Sequence, residues 1–367
     1  MIYLDNAATS LRKPPQVYGA VQEALARCAN PGRGGHAAAA RAEETVYRTR
    51  SLAADYFGLE PEQVCFTANA TEGLNIALGS LVRPGDRVVL SGLEHNAVTR
   101  TLIGLGAELF PVSAPIFDKE KWAEAFAEAL KPGTAACVCL HASNVFGAVL
   151  PVERIGEICA ERMIPFVVDA SQSAGLLPVL PKQWRAAYTA MPGHKGLLGP
   201  QGTGLLLCLD QPLPLRFGGT GSSSLDQQMP QDLPDRLEAG TLNVPGISGL
   251  GASLRWLRQQ DGTSMLRKER KLLETAVRRL RSMGVRIWDG PNQIGVLSFR
   301  LPKLDVETAA ALYAKAGVAL RAGLHCAPFA HRTAGTLPEG TLRMSLSVLT
   351  EQKEIEGFLT ATKGLLK

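Results

Sequence analysis

Seven short apolar runs stand between residues 63 and 208: Gln63 to Thr67, Arg87 to Ser91, Glu108 to Val112, Ala135 to His141, Phe166 to Asp169, Ala187 to Met191 and Gly204 to Cys208. Helical periodicity fills most of the gaps between them. Runs this short and this uniformly apolar suit strands buried on both faces, and strands separated by helices pair in parallel because each crossover helix covers the sheet it leaves. The pattern predicts an α/β fold with a large domain built on a mainly parallel seven-stranded sheet. A helical pattern near Pro15 to Arg27, a glycine-rich loop from Asn30 to His36 and a second helix to about Tyr56 precede the sheet. After it, Gly218 to Pro245 is rich in Gly, Ser, Gln and Pro, which predicts a long functional loop. Helical patterns over 246–259 and 265–284 then lead to strands near 295–300, 318–321 and 341–345, a run that fits a smaller C-terminal α+β domain. The expected division is 13–260 for the large domain, with 1–12 and 261–367 forming the small one.

Lys195 stands in Met191-Pro192-Gly193-His194-Lys195-Gly196-Leu197-Leu198-Gly199. A lysine after a histidine and among glycines is a way to present an amine to an aldehyde cofactor, although a solvated glycine-rich turn is the commoner meaning of such a stretch. The upstream run Phe166-Val167-Val168-Asp169 changes that balance. Asp169 ends an apolar strand, and ligands of open α/β sheets sit at the carboxyl ends of strands. Pyridoxal phosphate (PLP) needs an anion beside its pyridinium nitrogen and an amine for its aldehyde, so Asp169 and Lys195 together meet both demands. In Phe66-Thr67-Ala68-Asn69-Ala70-Thr71, a strand runs into a helix whose N-terminal N–H groups suit a phosphate.

These motifs, from Tyr3-Leu4-Asp5-Asn6-Ala7-Ala8-Thr9 to Leu342-Arg343-Met344-Ser345, resemble those of a fold-type I PLP enzyme of the class V aminotransferase superfamily. Within it the chain resembles the group II cysteine desulfurases and selenocysteine lyases. The resemblance implies a phosphate cradle at Ala70 and Thr71 and a histidine, His95, lying against the cofactor ring and able to move protons. It also implies Asp169 at the ring nitrogen, Gln172 at the ring hydroxyl and Lys195 as the cofactor-bearing lysine. Asn144 would approach the substrate carboxylate and the ring hydroxyl, Arg343 would clamp the carboxylate, and Arg321 would support the same region. Relatives carry a Ser where this chain has Pro192, so a phosphate donor is missing, and His194 and Thr241 are the expected replacements. Thr241 matches a position that reaches the phosphate of the neighbouring subunit, which implies a homodimer. The Tyr3-Leu4-Asp5 motif stands almost at the first residue, so partner docking is expected to differ from that of relatives with a leading helix.

Those parts would serve a transaminase, a β-lyase or an epimerase alike. The subclass rests on Arg321-Ala322-Gly323-Leu324-His325-Cys326-Ala327-Pro328, similar to the cysteine-bearing motif Arg-x-Gly-His-His-Cys-Ala of group II desulfurases, with Leu324 replacing the first histidine. The resemblance implies sulfur transfer from L-cysteine to Cys326 as a persulfide, with release of L-alanine and a possible sulfur-acceptor protein. His325 and Arg321 are expected to favour the thiolate. A selenocysteine lyase, or another C–S or C–Se lyase working without a persulfide, remains the alternative, and cysteine sulfinate is a further substrate the sequence does not separate.

Bulk properties exclude other classes. The net charge of +5 is small for 367 residues, and the densest basic stretch, Arg267 to Arg281, lies on an amphipathic helical pattern without aromatic interleaving, so no nucleic-acid partner is expected. No apolar run reaches membrane-spanning length and no signal-like segment opens the chain, which predicts a cytoplasmic enzyme. The seven cysteines show no paired ligand spacing, so neither a disulfide framework nor a metal site is expected.

Overall fold

A computed structural model describes every residue except Arg33, Ser223 and Ser224; the parts of the glycine-rich loop 30–36 and of the segment 218–245 that fall on those three lie outside the described residues. The strands are β1 (Ile2–Tyr3), β2 (Val64–Thr67), β3 (Arg87–Ser91), β4 (Glu108–Val112), β5 (Thr134–Leu140), β6 (Phe166–Asp169), β7 (Tyr188–Pro192), β8 (Gly204–Cys208), β9 (Arg286–Trp288), β10 (Val296–Arg300), β11 (Val318–Ala319) and β12 (Leu342–Ser345).

The central sheet has the order β2-β8-β7-β6-β5-β3-β4, and only β8 runs against its neighbours. The parallel strands therefore point their carboxyl ends at one edge. Alternate side chains enter opposite layers: Cys137, Cys139, Phe166 and Val168 face one apolar cluster, while Ala136, Val138 and Val167 face another. Burial on both sides is why these strands carry apolar runs rather than alternating ones. Helices Pro15–Arg27 and Ala37–Phe57, which the sequence pattern predicts, pack on Val244–Arg258.

The C-terminal region builds a separate apolar cluster around Phe299, Tyr313 and Phe358, whose rings lie 5.6–6.2 Å apart. Its antiparallel sheet has the order β12-β10-β9. β9 is outside the strands that the sequence pattern predicts, because three residues beginning at the exposed Arg286 give no apolar run. The N-terminal strand belongs to this region in space. β1 pairs in parallel with β11, Leu4 is fully buried in the C-terminal cluster, and Asp5 bridges to Ser345.

Segment 209–243 forms no helix or strand among its described residues. It is tied down by Glu238, whose buried carboxylate accepts from Arg50 Nη1 and Nη2 at 2.8 and 2.7 Å and from the Phe66 N–H at 2.7 Å. Three charge-assisted bonds satisfy the buried pair and fix the segment to the foot of β2.

Candidate active site

The carboxyl ends of the parallel strands converge on a cleft of about 520 Å³ lined by Ala70, Thr71, His95, Asn144, Asp169, Gln172, Pro192, His194 and Lys195, among others. The side chains arrive from the ends of five strands: Ala70 and Thr71 after β2, His95 after β3, Asn144 after β5, Asp169 and Gln172 at β6, and Pro192, His194 and Lys195 at β7. Asp169 closes β6 and pairs with Ala190 on β7, and the turn after β7 carries Lys195. That turn is closed by Leu198 N–H to the Lys195 carbonyl at 2.9 Å and by Gly199 N–H to the Gly193 carbonyl at 2.7 Å. Gly196 packs against the Ala174 carbonyl so closely that any Cβ would collide with it, which explains a glycine directly after the lysine.

Burial lowers the pKa values of the amine and the imidazoles of the cleft. Burial, with Arg343 and Arg321 nearby, lowers Lys195 to about 8, although Asp169 opposes the shift. Lys195 Nζ makes no hydrogen bond to protein among the described residues. His95 caps helix Asn96–Gly104: its Nδ1 accepts from the Ala97 N–H at 3.0 Å, so the ring proton belongs on Nε2. Burial and then Lys195 lower the His95 pKa further, and burial brings His194 to about 4. Behind the cleft, Glu94 is fully buried and burial pushes its carboxyl up to about 8, so at neutral pH it adds little charge beside Asp169.

A profile of the family described as aminotransferase class-V matches residues 2–358. The chain belongs to the aminotransferase class-V family. As a member it is a PLP-dependent enzyme of α/β architecture. It is 32% identical to a probable cysteine desulfurase of Pyrococcus abyssi over all of this chain and 94% of that protein. Among solved structures it is similar to an apo cysteine desulfurase from Thermococcus onnurineus NA1, with TM-score 0.91 and 32% identity, covering 100% of this chain and 94% of the other. It is also similar to the cysteine desulfurase CsdA of Escherichia coli in an S-sulfonic acid form, with TM-score 0.88 and 27% identity over 100% and 94% of the two chains.

The residues present fit the cofactor of this aminotransferase family. Asn69 caps helix Ala70–Leu81 through the Glu72 N–H at 2.9 Å, and among the described residues the Ala70 and Thr71 N–H groups have no partner. Asn144 Oδ1 is buried without a partner, while its Nδ2 donates to the His325 carbonyl at 2.9 Å. Gln172 spends one N–H on the Ala7 carbonyl at 2.9 Å, leaving its carbonyl oxygen for the cleft. Ser171 is also on the cleft wall, and a serine between Asp169 and Gln172 carries no sequence signal of its own.

Four predicted residues lie away from the cleft wall. Thr241 is exposed and lines a separate depression with Thr220, Asp235 and Gly240. Arg343 is buried, with Nη1 donating to the Asn144 carbonyl at 2.9 Å and Nη2 to Asp5 at 2.7 Å; Arg321 pairs with Asp5 from the solvent side. Cys326 is the one exposed cysteine among the described residues.

The environment expected for Cys326 needs one correction. His325 does not bring positive charge to the thiol: its ring is turned inward, Nε2 lies 3.0 Å from the Thr341 carbonyl, and burial holds its pKa well below 6.5. Left-handed backbone at both His325 (φ 50°) and Cys326 (φ 55°) accompanies this inward turn. The cations near Cys326 are instead Arg321 and Arg343, each of which it influences electrostatically.

Proposed function

We infer that this enzyme is a cysteine desulfurase, converting L-cysteine to L-alanine and taking the sulfur on Cys326 as a persulfide. The observation that carries the reading is the placement of Cys326: an exposed thiol on a loop fastened to the cleft by Asn96 N–H to the Cys326 carbonyl at 2.7 Å and by Asn144 to the preceding carbonyl. The desulfurase names of similar proteins support it.

When bound, PLP supplies a sink for electron density from the substrate's Cα. The chain would do the rest. Ala70, Thr71 and His194 would hold the phosphate, Asp169 would serve the ring nitrogen, Gln172 the ring hydroxyl, and His95 the ring. Arg343 grips the substrate carboxylate, with Asn144 and Arg321 beside it. Lys195 Nζ, near 8, is a fitting base for the Cα proton at neutral pH. Cys326 Sγ attacks the substrate sulfur; the carbon–sulfur bond breaks, a sulfur–sulfur bond forms, and the thiol proton's equivalent ends on Cβ. The sum is L-cysteine plus thiol giving L-alanine plus persulfide.

The purified enzyme should therefore release alanine from L-cysteine in the presence of a reductant that discharges the persulfide as sulfide. Pyruvate and ammonia in place of alanine would overturn the reading in favour of simple elimination. L-Selenocysteine is assayed alongside, because selenolate leaves more readily and a selenocysteine lyase is the second reading of the same site. Arg343→Ala should lower kcat/KM for both substrates on the order of tenfold to a hundredfold, the scale of lost hydrogen bonds to a charged group at about 1.5–3 kcal/mol. An effect on one substrate only would show that Arg343 does not meet the shared α-carboxylate.

Pro192 lines the cleft and offers neither hydroxyl nor N–H. Pro192→Ser should hold PLP on the order of tenfold more tightly, measured by equilibrium dialysis, if a charged phosphate lacks one donor. Unchanged retention would mean that Ala70, Thr71 and His194 already satisfy it.

Thr241, exposed and outside the cleft of its own chain, supports a homodimer in which it reaches the partner's phosphate. The separate C-terminal apolar cluster, joined by Leu4, supports a division into 13–260 and 1–12 with 261–367. Among the described residues no helix is long and apolar enough to cross a membrane, and we assign the enzyme to the cytoplasm, where a sulfur-acceptor protein would discharge Cys326.

A further inference from the structure

The arginine assigned to the substrate carboxylate already holds a carboxylate of the protein. Asp5 Oδ1 accepts from Arg343 Nη2 at 2.7 Å, and Asp5 Oδ2 accepts from Arg321 Nη2 at 2.9 Å and Nε at 3.0 Å. The N-terminal strand brings Asp5 there. Leu4 N–H donates to the Ala319 carbonyl, Ser345 N–H donates to the Leu4 carbonyl, and Arg321 and Arg343 face each other across a backbone bridge. The Asp5 carboxylate is thus inserted between two guanidiniums that would otherwise repel each other.

The two arginines are not equivalent. The side chain of Arg343 is 2% exposed and that of Arg321 is 49% exposed, so Asp5 is the counter-ion of a buried cation on one side and of a half-solvated one on the other. Arg343 is also incompletely used. One N–H goes to Asp5 and one to the Asn144 carbonyl, while Nε is buried without a partner. A guanidinium carries five N–H groups, so enough remain for a two-point grip on a second carboxylate. Two cations and one anion leave the cluster with a net charge of +1.

We propose that Asp5 is a positioning and affinity-setting residue, a resident counter-ion that fixes the Arg343 guanidinium and leaves one positive charge for a single monocarboxylate to neutralise. The inference rests on the reading of Arg343 as the carboxylate clamp. Its consequence has an unusual sign. Removing the Asp5 charge takes the cluster from +1 to +2, which strengthens attraction for an incoming anion while releasing the guanidinium from its orientation. Removing the Arg321 charge takes the cluster from +1 to 0 and weakens that attraction. Loss of packing alone would weaken binding in both variants.

The test uses the PLP-loaded enzyme and sodium propionate as a monocarboxylate probe, with its competitive inhibition constant and its thermal protection both measured. Asp5→Asn should bind propionate roughly tenfold more tightly, the scale of one charge acting over several ångströms at an intermediate dielectric after solvent screening. Its kcat should fall at the same time, a split between binding and turnover that a purely structural role does not produce. Arg321→Gln should bind propionate several-fold more weakly. Equal or weaker propionate binding by folded Asp5→Asn overturns the proposal, as does equal or tighter binding by Arg321→Gln. If Asp5→Asn fails to fold, Asp5→Ser and Arg321→Gln decide it by the same signs. Arg343→Ala separates the two readings: if it leaves propionate binding intact, the clamp assignment fails, whereas weakened binding there with no gain in Asp5→Asn rejects the role of Asp5 alone.

Discussion

Lys195→Ala is expected to yield a folded protein that no longer carries a borohydride-fixable bond to PLP and turns over L-cysteine at a rate lower by a factor on the order of 10²–10⁴, the range for losing a general base. Two features single out this lysine. Its Nζ has no hydrogen-bond partner among the described residues, and burial brings it to about 8, so an appreciable fraction is free amine near neutral pH. Lys13 is the nearest competitor, because burial lowers it to about 8 as well. It is committed elsewhere, donating to Ser10 Oγ at 2.7 Å and to the His194 carbonyl at 3.2 Å. Borohydride reduction followed by peptide mapping distinguishes the two: in the unsubstituted enzyme the label belongs on the peptide containing Lys195. Fixation on Lys13, or on any lysine in Lys195→Ala, would remove the assignment.

The cleft was legible in the sequence where its residues stand at strand and helix ends. Asp169 closes an apolar run, Ala70 and Thr71 open a helix, and His95 and Lys195 follow strands, so local periodicity places each at the carboxyl edge of a parallel sheet. What the sequence did not display are pairings made by chain closure. Asp5 and Arg343 are 338 residues apart, and Arg50 and Glu238 are 188 apart; neither partner bears a local sign of the other. His325 illustrates a different failure. Adjacency to Cys326 suggested a charge beside the thiol, but adjacency does not fix side-chain direction, and here the ring faces Thr341 in the interior. Buried in that way, the imidazole is disfavoured from ionising.

Cys326→Ala is expected to lower alanine formation from L-cysteine by a factor on the order of 10³ or more, as befits removal of an attacking group, while PLP stays bound. The loop should survive the change. Its fastenings use backbone carbonyls, Cys326 to Asn96 N–H and His325 to Asn144 Nδ2, and alanine keeps both. The left-handed backbone at residue 326 disfavours alanine much as it disfavours cysteine, so the substitution removes Sγ with little added strain. L-Selenocysteine should retain part of its rate in the same variant, because its better leaving group needs less help from a nucleophile. The substrates are thus divided by chemistry rather than by affinity, the opposite of Arg343→Ala, which weakens both. Mass spectrometry after exposure to L-cysteine should find the added sulfur on Cys326. Cys28 is half-buried and the remaining cysteines are buried, so none offers comparable access. A persulfide on one of them, or full L-cysteine turnover in Cys326→Ala, would leave the exposed thiol without its role and the reaction without its sulfur carrier.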